Sequence, residues 1–490
     1  MPKTFCIIPF LISLGFGCTN TTDQQKKPNV IIILTDQWRA SALGYNGNEV
    51  VQTPYLDAFA KEAVNFRNAV SVTPVCTPHR AALITGKYPS TTGMFLNDVY
   101  LPEEELTMAE IYKDAGYQTA YFGKWHLDGH GREKFVNQER RQGFDFWKGA
   151  ECDHDYNNEH YYFNDDTTKR FWDGYSTYSI ADAAQEYVTQ AVAKDNPFLM
   201  VVSIATPHFP HHTAPEEYKA LYDSTNLKLP PNIPEDMKDK ALEELVGYYG
   251  HATATDKAIG SLISKLKESG VFENSIVLFT CDHGEMMGSH GKRPVMKQEA
   301  YREAANVPFL ISYPNIGENA GLVTQLPITT PDVLPSLLKL SGIEIPSIIE
   351  GYDLSEIIKK PEIDKDRVAL YMNIFPFAHN FSTEEYRAIK TSQYTYVKTP
   401  SGPSMLFDDQ NDPYQLENLI GDPNYETLQN EMDQKLMAEL SRIGETEIHP
   451  RYFYLKKFGY DKTDRFRPDY GLKDYFEPSA IVSPNTFSLK

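Results

Sequence analysis

Five consecutive apolar residues, Val30-Ile31-Ile32-Ile33-Leu34, constrain this chain more than any other feature of its sequence. A strand with one wet face alternates apolar and polar residues. An unbroken β-branched run instead needs cover on both faces, as in a parallel sheet. Similar runs recur at Phe198 to Ser203, Ser275 to Phe279 and Val307 to Ile311. Helical patterns lie between them, for example Asp256 to Ser269, with Ile259, Leu262, Ile263 and Leu266 on one face and Gly270 just beyond. Strands alternating with helices predict an α/β layered domain over residues 29–360. The character then changes. Val368 to Tyr371, Tyr386 to Lys390, Tyr394 to Lys398 and Met405 to Phe407 are short strands separated by turn residues. They predict a small antiparallel sheet in a C-terminal subdomain, 361–448, covered by a helix over Tyr425 to Arg442. Residues 449–490, rich in Tyr, Phe and Asp but without periodicity, read as a tail wrapped on the surface.

The charge balance removes one class of function. With 67 acidic and 47 basic residues the chain carries −20, whereas nucleic-acid binding needs a basic footprint. An anionic substrate would have to be captured by a local cationic site. The N-terminus has its own logic. Lys3 precedes an apolar run from Phe5 to Phe16, then Gly17-Cys18. That run is too short for a permanent membrane span and reads as a secretory signal over 1–17. Cys18 resembles the lipidated cysteine of a bacterial lipobox, with Phe16 standing where a smaller residue is usual; simple signal cleavage nearby is the alternative. Residues 18–28 would then be a tether on an exported protein, periplasmic or attached to the outer membrane, touching the membrane only through Cys18. Cys76, Cys152 and Cys281 remain, too widely spaced to read as a disulfide framework. One of them calls for a chemical explanation.

Reactive groups in open α/β sheets gather beyond the carboxyl ends of the strands. Here those ends read Thr35-Asp36-Gln37, Thr206-Pro207-His208 and Thr280-Cys281-Asp282-His283-Gly284. An isolated Asp after a strand is usually a turn residue. Together the clusters put two carboxylates, an amide oxygen and two imidazoles on one rim, a set suited to a hard divalent cation. The decisive segment is Cys76-Thr77-Pro78-His79-Arg80, extended by Leu83-Ile84-Thr85-Gly86. Cys-x-Pro-x-Arg followed by Leu-x-Thr-Gly resembles the signature of the formylglycine sulfatases, a branch of the alkaline phosphatase superfamily.

The resemblance covers the chain from Asn29 to about Gly444 and implies an alkaline-phosphatase-like α/β/α sandwich. It implies that a maturase oxidises Cys76 to formylglycine, and that Asp36, Gln37, Asp282 and His283 hold calcium. Gln37 stands where many members carry Asp and His283 where others carry Asn; imidazole is an unusual calcium partner. Lys124 and His126, in Gly123-Lys124-Trp125-His126, match the family's Lys-x-His pair. His208 matches its general acid, Lys297 its second sulfate-binding lysine, and Arg80 the anchor of the modified residue. His290, Arg293 and His211 are expected as substrate-side contacts. The chemistry agrees with the motif. A serine attacking a sulfate ester would leave a stable ester on the enzyme, whereas an aldehyde hydrate keeps a second hydroxyl through which sulfate can be expelled. The expected substrate is a sulfated polysaccharide or oligosaccharide, with the aromatic-rich insertion Phe144 to Tyr178 shaping an open pocket. Two other readings share the scaffold. A phosphodiesterase or phosphonate monoester hydrolase would keep the fold and metal ligands. A non-catalytic glycan-binding lipoprotein would show eroded metal or lysine positions, and none is missing.

Overall fold

In a computed structural model, residues 1–2, 26–194, 196–360, 366–377 and 384–460 are described. Apart from Met1 and Pro2, the expected signal peptide and the Cys18 anchor lie outside these residues.

A ten-stranded sheet forms the core. Its strands are β1 (Asn29–Asp36), β2 (Val64–Val70), β3 (Gln118–Lys124), β4 (Phe146–Ala150), β5 (His160–Phe163), β6 (Asp166–Phe171), β7 (Phe198–Pro207), β8 (Ser275–Cys281), β9 (Phe309–Ser312) and β10 (Val323–Thr329). They lie side by side in the order β10-β2-β9-β8-β1-β7-β3-β4-β5-β6. The apolar runs are the central strands: β7 and β8 are buried along their whole length and β1 is buried after Asn29. β1 pairs in parallel with both β7 and β8, and β3 with both β7 and β4. The strand in the 307–311 run departs from the parallel expectation, because β9 is antiparallel to both β8 and β2. The chain leaves the carboxyl end of β8, lays down a long loop there and re-enters the sheet from the same side. An apolar run reports cover on both faces and says nothing of strand direction.

The helix expected over 256–269 is the second half of a longer one, Lys238–Glu268. Its first half hides from periodicity because small and polar residues, including Gly247, His251 and Thr255, are buried there. A Cβ on Gly247 would meet the His211 carbonyl oxygen at 2.3 Å, so close packing replaces an apolar stripe. This helix and Ser176–Val192 pack on one another and on β7. The insertion Phe144 to Tyr178 widens the sheet through β4 and the antiparallel β5–β6 hairpin.

A second sheet, β11 (Ala369–Asn373), β12 (Tyr386–Lys390), β13 (Tyr394–Thr399) and β14 (Gly402–Asp408), is antiparallel throughout. The helix Glu426–Arg442 packs on its β12 and β13. The small sheet abuts the large one: the Met372 N–H donates to the Val72 carbonyl at 2.7 Å, just before Cys76. The tail expectation is corrected for its first part. Arg451–Lys457 is a helix, with Tyr454 and Leu455 buried, and Tyr454, Phe458 and Tyr460 surround the Phe95 ring. Aromatic packing, rather than a helical stripe, holds this segment.

Candidate active site

The strands β1, β3, β7 and β8 deliver Asp36, Lys124, His208 and Asp282-His283 to one rim. Cys76 enters from β2, as the first residue of the helix Cys76–Thr85. Its Sγ lies 3.3 Å from Lys297 Nζ, 3.3 Å from His283 Nε2, 3.7 Å from Lys124 Nζ and 3.8 Å from Asp36 Oδ1. Burial and the Asp36 carboxylate push the thiol up, but Lys124 and Lys297 more than offset this, so its pKa falls below the ordinary value.

Arg80 sits one turn further along the helix and reaches beneath Cys76. Its guanidinium, 2% exposed, donates to Asp282 Oδ2 and Asp36 Oδ2 (both 3.1 Å), to Ser203 Oγ (2.7 Å) and to the Lys124 carbonyl (3.0 Å). Lys124 Nζ donates to Asp36 Oδ2 at 2.7 Å. Burial alone would raise the Asp36 pKa, but Lys124, His208, Arg80 and His283 hold it well below the carboxylate range. The close crossing of β3 and β7 here requires glycine. Gly123 has φ +83°, and a Cβ would sit 2.0 Å from the Ser203 carbonyl oxygen.

Ligand atoms of Asp36, Cys76, Asp282 and His283 all lie within 4.8 Å of one another. His283 is held to about 4 by burial, with Lys297 reinforcing it, and is therefore neutral near pH 7. The neighbouring Gln37 Oε1 is buried without a hydrogen-bond partner. Two carboxylates, an amide oxygen left free and a neutral imidazole form a donor set that fits a divalent cation.

Lys297 Nζ also donates toward His208 Nε2 (3.0 Å) and His283 Nε2 (3.2 Å). His208 Nδ1 donates to the Phe209 carbonyl at 2.7 Å, which leaves Nε2 facing Cys76 and the lysine. Burial first, and Lys297 second, keep the His208 pKa well below normal. His126 has the complementary arrangement. Its Nε2 lies 3.0 Å from Asp98 Oδ1, while Nδ1 is buried and unpartnered. The carboxylate fixes the proton on Nε2 and leaves the Nδ1 lone pair available for a proton.

Cys76, Lys124, His126, His208 and Lys297 line a cavity of about 360 Å³ whose walls include Arg132, His154, Arg293 and Phe377. The cavity opens to solvent and is cationic at its base, where Lys124 and Lys297 lie.

The comparisons with known proteins agree with this geometry. A family model described as Sulfatase matches residues 28–343, and one described as N-sulphoglucosamine sulphohydrolase, C-terminal, matches residues 288–442. The chain belongs to the sulfatase family. By that membership it is a sulfuric ester hydrolase. A relative named ulvan-active sulfatase, from Formosa agariphila, is 57% identical over 89% of this chain and 86% of its own. The solved structure of yidJ from Bacteroides fragilis matches with a TM-score of 0.79 at 30% identity, covering 89% of this chain and 99% of that one. A phosphonate monoester hydrolase of Agrobacterium radiobacter also matches, with a TM-score of 0.68 at 21% identity, over 85% of this chain and 96% of its own. That likeness is one of fold alone.

Of the three expected substrate contacts, the sulfatase places only Arg293 on the cavity wall. His211 is buried elsewhere, its Nδ1 2.7 Å from Glu244 Oε2 and its ring packed edge-on to Tyr248. His290 stacks on Tyr301 at 3.7 Å and is 3.1 Å from Asn232 Nδ2. Glu244 takes up His211 Nδ1, although Nε2 is buried without a partner, and Tyr301 and Asn232 take up His290; neither ring lines the cavity, and both expectations are corrected. The sequence reading missed Asp98, which accepts from His126 and, at 2.9 and 3.1 Å, from Arg132. Its signal was a polar pair, Asn97-Asp98, interrupting the apolar Met94-Phe95-Leu96 and Val99. His154 was missed as well; its ring stacks on His208 at 4.5 Å.

Proposed function

We propose that this sulfatase releases sulfate from a sulfated polysaccharide or its oligosaccharides, and that Cys76 reaches its active form as formylglycine. The observation that carries the reading is the position of Cys76 Sγ, at a helix N-terminus and within 3.7 Å of two lysine ammonium groups on a cavity floor. Formylglycine, made by a maturase that reads the Cys76-to-Arg80 motif, supplies a hydrated aldehyde as the oxygen nucleophile. Asp36, Gln37, Asp282 and His283 would hold calcium, which would supply positive charge beside the ester.

The chain's own residues perform the remaining work. Lys124 and Lys297 neutralise the sulfate oxygens from two sides, a clamp already in place before substrate arrives. Arg80 holds Asp36 and Asp282 apart from solvent and fixes the helix start. His208 donates a proton from Nε2 to the departing sugar oxygen. In the free enzyme Lys297 occupies that nitrogen's lone pair; a seated sulfate engages the lysine instead and offsets its charge, so that Nε2 can carry a proton. His126 accepts a proton at Nδ1, and Asp98 stabilises the imidazolium that results. Arg293, on the cavity wall, contacts the sugar portion of the substrate.

Ulvan-type sulfated fragments are the first substrates to test, on the strength of the 57% identical relative. Export through the N-terminal signal, with Cys18 as a lipid anchor, suits an enzyme whose substrate is an extracellular polymer. The test compares sulfate release from desalted sulfated saccharides with phosphate release from the matching phosphate esters. Protein made with a competent maturase should carry a Cys76 peptide about 18 Da lighter than the encoded one, as thiol-to-aldehyde conversion requires. Cys76→Ala should abolish turnover without unfolding the chain. Near-wild-type sulfate release by that variant, or faster phosphate release by the wild type, would overturn the reading.

A further inference from the structure

Gln37 is held by nearly every polar atom it has. Its backbone N–H donates to Asp282 Oδ1 at 3.2 Å, and its carbonyl accepts from the Tyr248 hydroxyl at 2.9 Å. Its side-chain Nε2 donates to Glu285 Oε2. Oε1 alone is left, buried and without a partner. A primary amide can turn end for end at little cost in shape, so its neighbours decide which end faces where. Glu285 makes that choice. It is fully buried, its Oε1 accepts the Met287 N–H at 2.9 Å, and its other oxygen presents an acceptor to Gln37. An acceptor there demands the amide nitrogen and turns the amide oxygen away from Glu285. The reverse orientation would set oxygen against carboxylate and point an N–H₂ group at a cation.

We infer that Glu285 is a positioning residue, one that fixes the Gln37 carboxamide so that its oxygen serves the metal cluster of Asp36, Asp282 and His283. The inference rests on the reading of that cluster as a metal site. Where a carboxylate ligand would offer two equivalent oxygens and need no such guide, an amide ligand has only one, and it must be aimed. Outer groups that orient a ligand act on affinity for the metal rather than on the fold.

The test is calcium titration by calorimetry into the full-length, chelator-stripped protein, with melting curves recorded in EDTA. Glu285→Gln can offer its own N–H₂ to Gln37 and so reverse the amide. Its calcium affinity should fall by about 10- to 100-fold, with an unchanged melting temperature in EDTA. The exchanged pair, Gln37→Glu with Glu285→Gln, puts the donor and acceptor in swapped places and should recover wild-type affinity. If Glu285→Gln proves unstable, the exchanged pair must still fold and bind. Equal affinity in Glu285→Gln and wild type would overturn the inference while leaving the metal site intact. So would an exchanged pair that folds but does not bind, or Gln37→Glu alone binding as tightly as the pair. A wild-type protein that takes up no calcium would instead remove the metal reading itself.

Discussion

Replacing Asp98 by Asn tests the proton acceptor at its support. The change keeps the volume of a side chain that is 3% exposed and removes its charge. Burial opposes that charge, but hydrogen bonds from His126 and Arg132 hold the carboxyl well below the usual range, so it is ionised at every practical pH. In the variant the amide can present N–H₂ to His126 Nε2, which forces the ring proton onto Nδ1 and blocks the lone pair. Losing the charge-assisted bond to an imidazolium is worth about 1.5–3 kcal/mol, or roughly 10- to 150-fold in kcat. The assay is stopped-flow hydrolysis of nitrophenyl sulfate. Nitrophenol should appear in a rapid burst of about one equivalent per active site, followed by slow turnover, because the leaving group departs before His126 is needed. KM should fall together with kcat, leaving kcat/KM nearly unchanged, because the first transfer is untouched. An unchanged kcat, or a loss confined to KM without a burst, would refute the assignment of His126 as base and reduce Asp98 to a structural partner of Arg132.

Three further outcomes are expected. His208→Ala should lose about 10²- to 10⁴-fold on a sulfated sugar and much less on an aryl sulfate, whose leaving group hardly needs a proton; equal losses on both would remove His208 as the acid. Prolonged chelation should abolish activity, and calcium should restore it better than zinc; full activity in protein shown to be metal-free by elemental analysis would exclude the metal. Burial pushes Glu159 up to about 8, so the folded state binds an extra proton between its unfolded pKa, near 4.3, and about pH 8, and stability falls as pH rises through that window. Glu159→Gln should therefore lose less stability between pH 5.5 and 8 than the wild type, read as the shift in urea midpoint with calcium present; an identical shift would show that Glu159 is not buried as a neutral acid.

Local signals carried much of the architecture. The unbroken apolar runs located β1, β7, β8 and β9, because burial on both faces leaves its mark residue by residue. Strand direction did not show, and β9 runs opposite to its neighbours. Direction depends on where the connection travels, and the 282–308 loop carries the residues that could have said so for a different purpose. The long helix from Lys238 was seen only where its inner face is aliphatic. Its first half packs through Gly247 and buried polar groups, which no hydrophobic period can reveal. The C-terminal helix Arg451–Lys457 depends on aromatic contacts with Phe95, far away in sequence, and looked patternless for that reason.

The site divides along the same line. Asp36, Gln37, His208, Asp282 and His283 were legible because each ends a recognisable strand, and Cys76 to Arg80 because a compact motif names them. Asp98, Arg132, His154 and Glu285 act through partners that the fold brings together from elsewhere or that no strand end marks. His211 and His290 show the converse error: histidines near a motif in sequence were read as reaching substrate, and both are absorbed by Glu244, Tyr301 and Asn232. What sequence could state without a structure was the electrostatic requirement, and the fold meets it. A chain of net charge −20 can hold an anionic ester only where cations outnumber acids locally. Arg80 and Lys124 pair with Asp36 and Asp282, and Lys297 lies 3.3 Å from Cys76 Sγ, all buried where salt screens them little. Arg80 and Lys124 offset the charge of the two carboxylates, which leaves Lys297 as excess positive charge at the position a sulfate would take.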